Sequence, residues 1–131
     1  MDQLSADRDA NFCVRMTVQQ WRTIDGVVDN EISVEMENGD PRRVVGSARA
    51  IREAGWKQVA HWTRGIAGSG AWPPDDREVA VELSGAQWKL AAECLVSWGA
   101  VASMGGDDIE AARLRSIHRL VVDQLGAQRP D

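Results

Sequence analysis

The 131-residue sequence predicts an α+β fold, mainly helical, in which two strand–helix–helix halves pack around a small sheet. Three observations carry that reading. A stretch occurs twice, as Val14-Arg15-Met16-Thr17-Val18-Gln19-Gln20-Trp21 and as Val81-Glu82-Leu83-Ser84-Gly85-Ala86-Gln87-Trp88. In both copies the Ser/Thr and the Gln three residues on (Thr17/Gln20, Ser84/Gln87) are spaced as capping boxes, where a hydroxyl and an amide satisfy orphan N–H groups at a helix start. Finally, Val14/Val81 and Trp21/Trp88 stand 67 positions apart, and Arg49/Arg115 and Ile51/Ile117 stand 66 apart, so the likeness extends into a second helix of each half.

In chain order, residues 1–10 are polar and acidic and read as a solvated, flexible arm. Phe12 to Met16 alternates, with Phe12, Val14 and Met16 on one face and Cys13 and Arg15 on the other, the period of a half-buried strand. A helix follows from Val18, with Trp21, Ile24, Val27 and Val28 as its apolar stripe. Its far end carries conflicting signals. Ile32, Val34 and Met36 alternate with Ser33, Glu35 and Glu37 before Asn38-Gly39, a strand-and-hairpin pattern. The matching stretch Trp88 to Met104 reads as one helix, so helix is expected to about Met36, with Gly39 as a left-handed stop. Asp40-Pro41 is then expected to start the second helix, which buries Val44, Val45, Ala48, Ile51 and Ala54 or Gly55, and which Gly55 ends or bends.

Residues 56–77 have no counterpart in the other half and form a Trp/Gly/Pro-rich connector. Trp56, Val59, Ala60 and Trp62 suggest a further short helix, Gly65 to Gly70 a loop, and Trp72-Pro73-Pro74-Asp75-Asp76 a stiff turn. The second strand, Glu78 to Leu83, sets Val79, Val81 and Leu83 against Ala80 and Glu82. The third helix turns Trp88, Ala91, Ala92, Leu95, Trp98 and Ala102 inward and stops at Gly105. After an Asp107/Glu110 cap, the fourth buries Ile109, Ala112, Ile117, Leu120, Val121 and Leu125, and Gly126 and Pro130 finish it. A single domain thus comprises the arm 1–10, a first half 11–55, the connector 56–77 and a second half 78–126. Two strands alone are marginal in water. Either helices cover them, or a second copy supplies strands, which is a specific reason to expect a homodimer.

Composition narrows the class. Hydrophobic residues make up 44% and charged residues 27%, ordinary for a globular domain. With 20 Asp+Glu against 15 Lys+Arg the net charge is −5, which weighs against nucleic acid and anionic membrane as partners. No apolar run approaches the roughly 18 residues of a membrane span, and the polar N-terminal stretch is wrong for a signal peptide. The expected location is the cytoplasm. The strong bias to Arg over Lys (only Lys57 and Lys89) and the lack of Tyr suggest a GC-rich bacterial source. Cys13 and Cys94 sit in no Cys-x-x-Cys motif and read as small buried apolar side chains.

Six Trp beside one Phe and no Tyr is the most unusual feature. Trp21, Trp88 and Trp98 fall on core stripes. Trp56, Trp62 and Trp72 fall in the connector, where they either pack over the open end of the core or form a binding hot spot, since Trp covers large area at low entropic cost. His61 would be a general base only if it lined a pocket with Trp56, Trp62 and Arg64; a surface or capping role is the simpler reading, and the same holds for His118. No His, Cys or carboxylate spacing specifies a metal, and Gly65-x-x-Gly68-x-Gly70 lacks the Lys-Ser/Thr of a phosphate loop. No Gly-x-Ser-x-Gly elbow occurs either. Asp25, Asp29, Glu31, Glu35, Glu37 and Asp40 form an acidic run that Arg42, Arg43, Arg49 and Arg52 of the second helix can balance. Arg113, Arg115 and Arg119 give the fourth helix a similar basic face.

No cofactor and no catalytic grouping is therefore implied. The expected function is a non-catalytic cytoplasmic protein-interaction module of the inhibitor, antitoxin or immunity kind, bound to another protein through Trp56, Trp62 and Trp72. The competing reading is a small-molecule binder or enzyme, with a pocket between the halves lined by Trp56, His61, Trp62, Arg64 and Trp72. A weaker third is nucleic-acid binding through the Arg-bearing helices.

Overall fold

Each strand turns into its helix with no residue between them. The computed structural model describes residues 10–128, so most of the expected arm, and Pro130, lie outside the described residues. The order is β1 (Asn11–Thr17), α1 (Val18–Glu37), α2 (Val45–Ala60), β2 (Glu78–Ser84), α3 (Gly85–Met104) and α4 (Asp108–Gln128). The fold is thus α+β and mainly helical, with the two strands forming one antiparallel sheet.

Both turns are fixed by the expected capping boxes. Thr17 Oγ1 accepts from Gln20 N while Gln20 Oε1 accepts from Thr17 N, and Ser84 with Gln87 does the same. The first backbone N–H of each helix is bonded to the other strand's lead-in: Val18 N to Arg77 O and Gly85 N to Ala10 O, both 2.9 Å. The ladder pairs Asn11 with Ser84 and Thr17 with Glu78, and its centre is Val14 opposite Val81. Phe12, Val14, Met16, Val81 and Leu83 are buried together against the helices.

The other face of the sheet is solvated and carries Cys13, which is exposed rather than a core filler. The strand's period places it beside Arg15, and that local rule prevails over the general tendency of Cys to be buried.

The outer edges of this minimal sheet are closed by glutamines. Gln124 of α4 accepts from Arg15 N (2.8 Å) and donates to Arg15 O (2.7 Å). Gln128 does the same at Cys13, and Gln58 of α2 at Glu82. Each side-chain amide takes the place of a peptide group in a missing third strand, so those edge groups are satisfied within the chain.

The helix reading of 31–37 holds: α1 continues to Glu37, and Gly39 follows at φ +80°. The start of α2 differs from expectation. Asp40 and Arg43 both adopt left-handed backbone (φ +55°), and α2 begins at Val45 instead of Pro41. Asp40 still caps it from outside the helix, Oδ1 accepting from Val44 N (2.9 Å) and Val45 N (3.3 Å).

Gly55 neither ends nor bends α2, and Trp56, Val59 and Ala60 belong to this same helix rather than to a further one. A Cβ on Gly55 would overlap Cζ2 and Cη2 of Trp21, so the glycine is there to let α2 close on the indole. On α4, Ala112 is exposed and Ile109 is 86% exposed, not inward. The inner stripe is Ala111, Leu114, Ile117, Val121 and Leu125, because the helix starts at Asp108 and its first turn overhangs the core.

Candidate functional site

The connector gains its shape from the end of α2. His61 takes a left-handed C-cap conformation (φ +56°) and donates its backbone N–H to Lys57 O. Ala71 N then bonds back to Ala60 O at 2.7 Å, so residues 61–70 form a closed excursion. Inside it Thr63 N donates to Ser69 Oγ (3.0 Å), and Gly65, Gly68 and Gly70 supply positive φ. Ile66 stands at the tip, 60% exposed.

Behind this loop three tryptophans form a ladder from core to solvent. Trp21 is fully buried. Trp56 meets it edge-to-face at 6.0 Å, and Trp72 meets Trp56 edge-to-face at 4.7 Å. Trp72 is 62% exposed. It is thus a large apolar ring held by a rigid stack and presented to solvent, a geometry suited to anchoring in a partner's pocket.

The other candidates are placed separately. Trp62 is half-buried over Gly70. His61 is exposed, with its backbone occupied in the cap. Arg64 pairs with Glu53 of α2 at 3.1 Å in an exposed ion pair.

Among the described residues, grooves of about 900, 270 and 230 Å³ are lined by other residues, and none of the five candidates contributes to them. The largest runs along α3 and includes Lys89, Glu93, Val96 and, from α4, His118. Among the described residues no group of three His, Cys, Asp or Glu side chains is placed to hold a metal ion. No helix there is long and apolar enough to cross a membrane.

Four of the six carboxylates of the acidic run are paired from within. Arg52 donates to Asp25 and Asp29, both at 2.7 Å. Arg42 holds Glu35 (2.6 Å) and Glu31, and Glu31 also accepts from Trp98 Nε1. The hydrogen bond to Asp25 is the main reason the Arg52 guanidinium lies above its ordinary range; for Arg42 it is the bond to Glu35. Burial pushes the Cys94 thiol up to about 12, with the Glu31 charge adding to it. Such a thiol is inert at neutral pH.

Comparison of the chain with protein-family models, with curated proteins and with solved structures gives no match.

Two features of the surface escaped the sequence reading. Ile66 is a large apolar residue between two loop glycines, a signal that could have been read. The second is α3: only Lys89 and Glu93 are charged among its 20 residues, so it carries more apolar side chains than one buried stripe can use.

Proposed function

We propose that the protein is a non-catalytic interaction module that engages another protein through Trp72 and the 61–70 loop. The observation that carries this is the 62% exposure of a tryptophan held edge-to-face on Trp56. An indole that served only to roof the core would lie down over it, whereas this one stands out from a braced base. Ile66 on the same connector adds a second exposed apolar residue. The acidic run is not the binding surface in this reading, because Arg42 and Arg52 already engage four of its six carboxylates.

The inhibitor, antitoxin or immunity class fits a small acidic chain of this kind, working in the bacterial cytoplasm, where two unpaired cysteines are ordinary. Duplication of an ancestral strand–helix–helix unit would account for the twin capping boxes and the 67-residue offset. The small-molecule reading has less support, since the grooves described along α1, α3 and α4 are not lined by Trp56, His61, Trp62, Arg64 or Trp72.

The test is an affinity capture from host lysate with the wild-type chain and with Trp72→Ala. Trp56 is left in place because it packs on the core. A stoichiometric protein captured by the wild type and lost in the variant, at unchanged thermal stability, supports the module. Capture that survives Trp72→Ala and Ile66→Ala together would refute this site.

A further inference from the structure

α1 and α3 hold corresponding places in the two halves and are each 20 residues long, yet their outer faces differ. On α1 the outward positions include Arg22, paired with Asp75, and Asp29, paired with Arg52. The positions 67 residues further on are Lys89 and Val96. Likewise Ser33 corresponds to Ala100 and Glu37 to Met104. Val96 and Met104 are 55% and 88% exposed. At three of these four positions a polar residue of α1 (Asp29, Ser33, Glu37) gives way to an apolar one of α3 (Val96, Ala100, Met104), a contrast that favours the α3 face as one that meets a protein surface.

The charges on that face point to what covers it. Lys89 and Glu93 are exposed, one helical turn apart, and neither forms an ion pair among the described residues. The α3 residues lining the large groove run from Gly85 to Ser97, and Lys89 and Glu93 lie at equal distances either side of the middle of that stretch. A two-fold axis crossing α3 at the level of Ala91 would therefore place Lys89 of each copy opposite Glu93 of the other and Ala86 opposite Val96.

The face sums to zero charge on a chain of net charge −5, so it is where two copies can approach with least repulsion. Addition of strands is the poorer route to a dimer, because Gln58, Gln124 and Gln128 already occupy edge groups of the sheet.

We propose that the protein forms a symmetric homodimer by antiparallel packing of α3 on α3, registered by reciprocal Lys89–Glu93 pairs.

Sedimentation equilibrium on the full chain, between about 1 and 100 μM, tests this against the usual range of specific association. The wild type should be dimeric in that range. K89E and E93K should each weaken association at least about tenfold, since each sets like charges opposite one another twice. An equimolar mixture of the two variants should re-associate as a heterodimer, and the double variant K89E/E93K should regain the wild-type affinity. Circular dichroism of each variant checks that the fold is kept. A monomeric wild type overturns the proposal and leaves the face for a different protein. Dimers indifferent to both single substitutions, or variants that fail to recombine on mixing, overturn it as well.

Discussion

The carboxamide of Gln124 exchanges two hydrogen bonds with the backbone of Arg15, accepting at 2.8 Å and donating at 2.7 Å, as a neighbouring strand would. Gln58 does so at Glu82, both bonds 2.7 Å. A two-stranded sheet is thereby widened on both sides by helix side chains. Gln124→Ala and Gln58→Ala should each cost about 1–2 kcal/mol in urea unfolding, less than a buried loss because water can reach the freed groups. Gln→Glu at either site keeps an acceptor but sets an oxygen against the carbonyl, and should recover none of the loss. Native-state hydrogen exchange gives a second check: the Arg15 and Glu82 amides should be protected despite lying at sheet edges, and each should lose protection in the variant of its own glutamine alone.

Gly55 lies against the ring of Trp21, where no Cβ fits. Gly→Ala within an exposed helix gains up to about 1 kcal/mol, but here the overlap with a fully buried indole should reverse the sign. Gly55→Ala is expected to destabilise by about 2 kcal/mol or more, in the range of overpacked cores. Combined with Trp21→Phe, which removes the ring atoms that clash, it should cost less than the sum of the two single changes. Additive losses in thermal unfolding would mean that the two residues do not constrain one another.

Trp21 and Trp88 also separate two kinds of cost. Trp88 Nε1 donates to Phe12 O at 2.9 Å, whereas Trp21 Nε1 is buried without a hydrogen-bond partner among the described residues. Both lose comparable area on replacement by Phe, but only Trp88→Phe also gives up a bond. Trp88→Phe should therefore be the more destabilising, by about 1 kcal/mol in chemical denaturation. Equal losses would show that the Trp88 bond contributes nothing net.

What could be read from the sequence was what depends on near neighbours. Both capping boxes follow from residues three apart, and the continuation of α1 to Glu37 followed from its likeness to the stretch after Trp88. Asp40 is a good N-cap type and so points to a helix start at Pro41, while its left-handed backbone, which sets the cap outside the helix, depends on the turn from Gly39 to Val44. Gly55 reads locally as a stop or a bend, because its reason for being there, Trp21, lies across a helix–helix contact. Gln58 and Gln124 carry no local signal of their role, which requires that α2 and α4 lie beside β2 and β1. At the candidate site, composition singled out the connector tryptophans but could not order them. That Trp56 is a brace and Trp72 the presented ring depends on Ala71 folding back to Ala60.

The two cysteines should behave oppositely. Cys13 is exposed on the open face of β1 and should react with a thiol reagent at pH 8 in the native protein. Cys94 is buried on α3, and burial raises its thiol from an ordinary 9.0 to about 12. Only one thiol per chain should therefore be modified until denaturant is added. The raised value also fixes a sign. Between about 9 and 12 the unfolded chain loses the Cys94 proton and the folded chain keeps it, so the contribution is whole below pH 9 and is lost as pH rises toward 12. Stability measured across that window should fall less steeply in Cys94→Ala than in the wild type. Identical slopes would remove Cys94 as a source of alkaline sensitivity.

Arg52 joins α2 to α1 through two carboxylates at once, Asp25 and Asp29, and its side chain is 35% exposed against 13% for Asp25. Asp25 and Asp29 are one turn apart on the same helix, a like-charge pair that costs stability when nothing lies between them. Arg52→Ala leaves that repulsion and strands a largely buried carboxylate, so a loss of about 1–3 kcal/mol is expected, partly recovered at high salt. Arg52→Lys should recover only part of it at low salt, because an ammonium cannot reproduce the fork that serves both acids. The pairs Arg22–Asp75 and Arg64–Glu53 are exposed on both sides, and truncating either arginine should change stability by less than about 0.5 kcal/mol. Urea titrations of the four variants decide it. If Arg52→Ala proved no more costly than Arg64→Ala, the acidic run of α1 would be held by the helix alone, and its balance by α2 would be incidental to the fold.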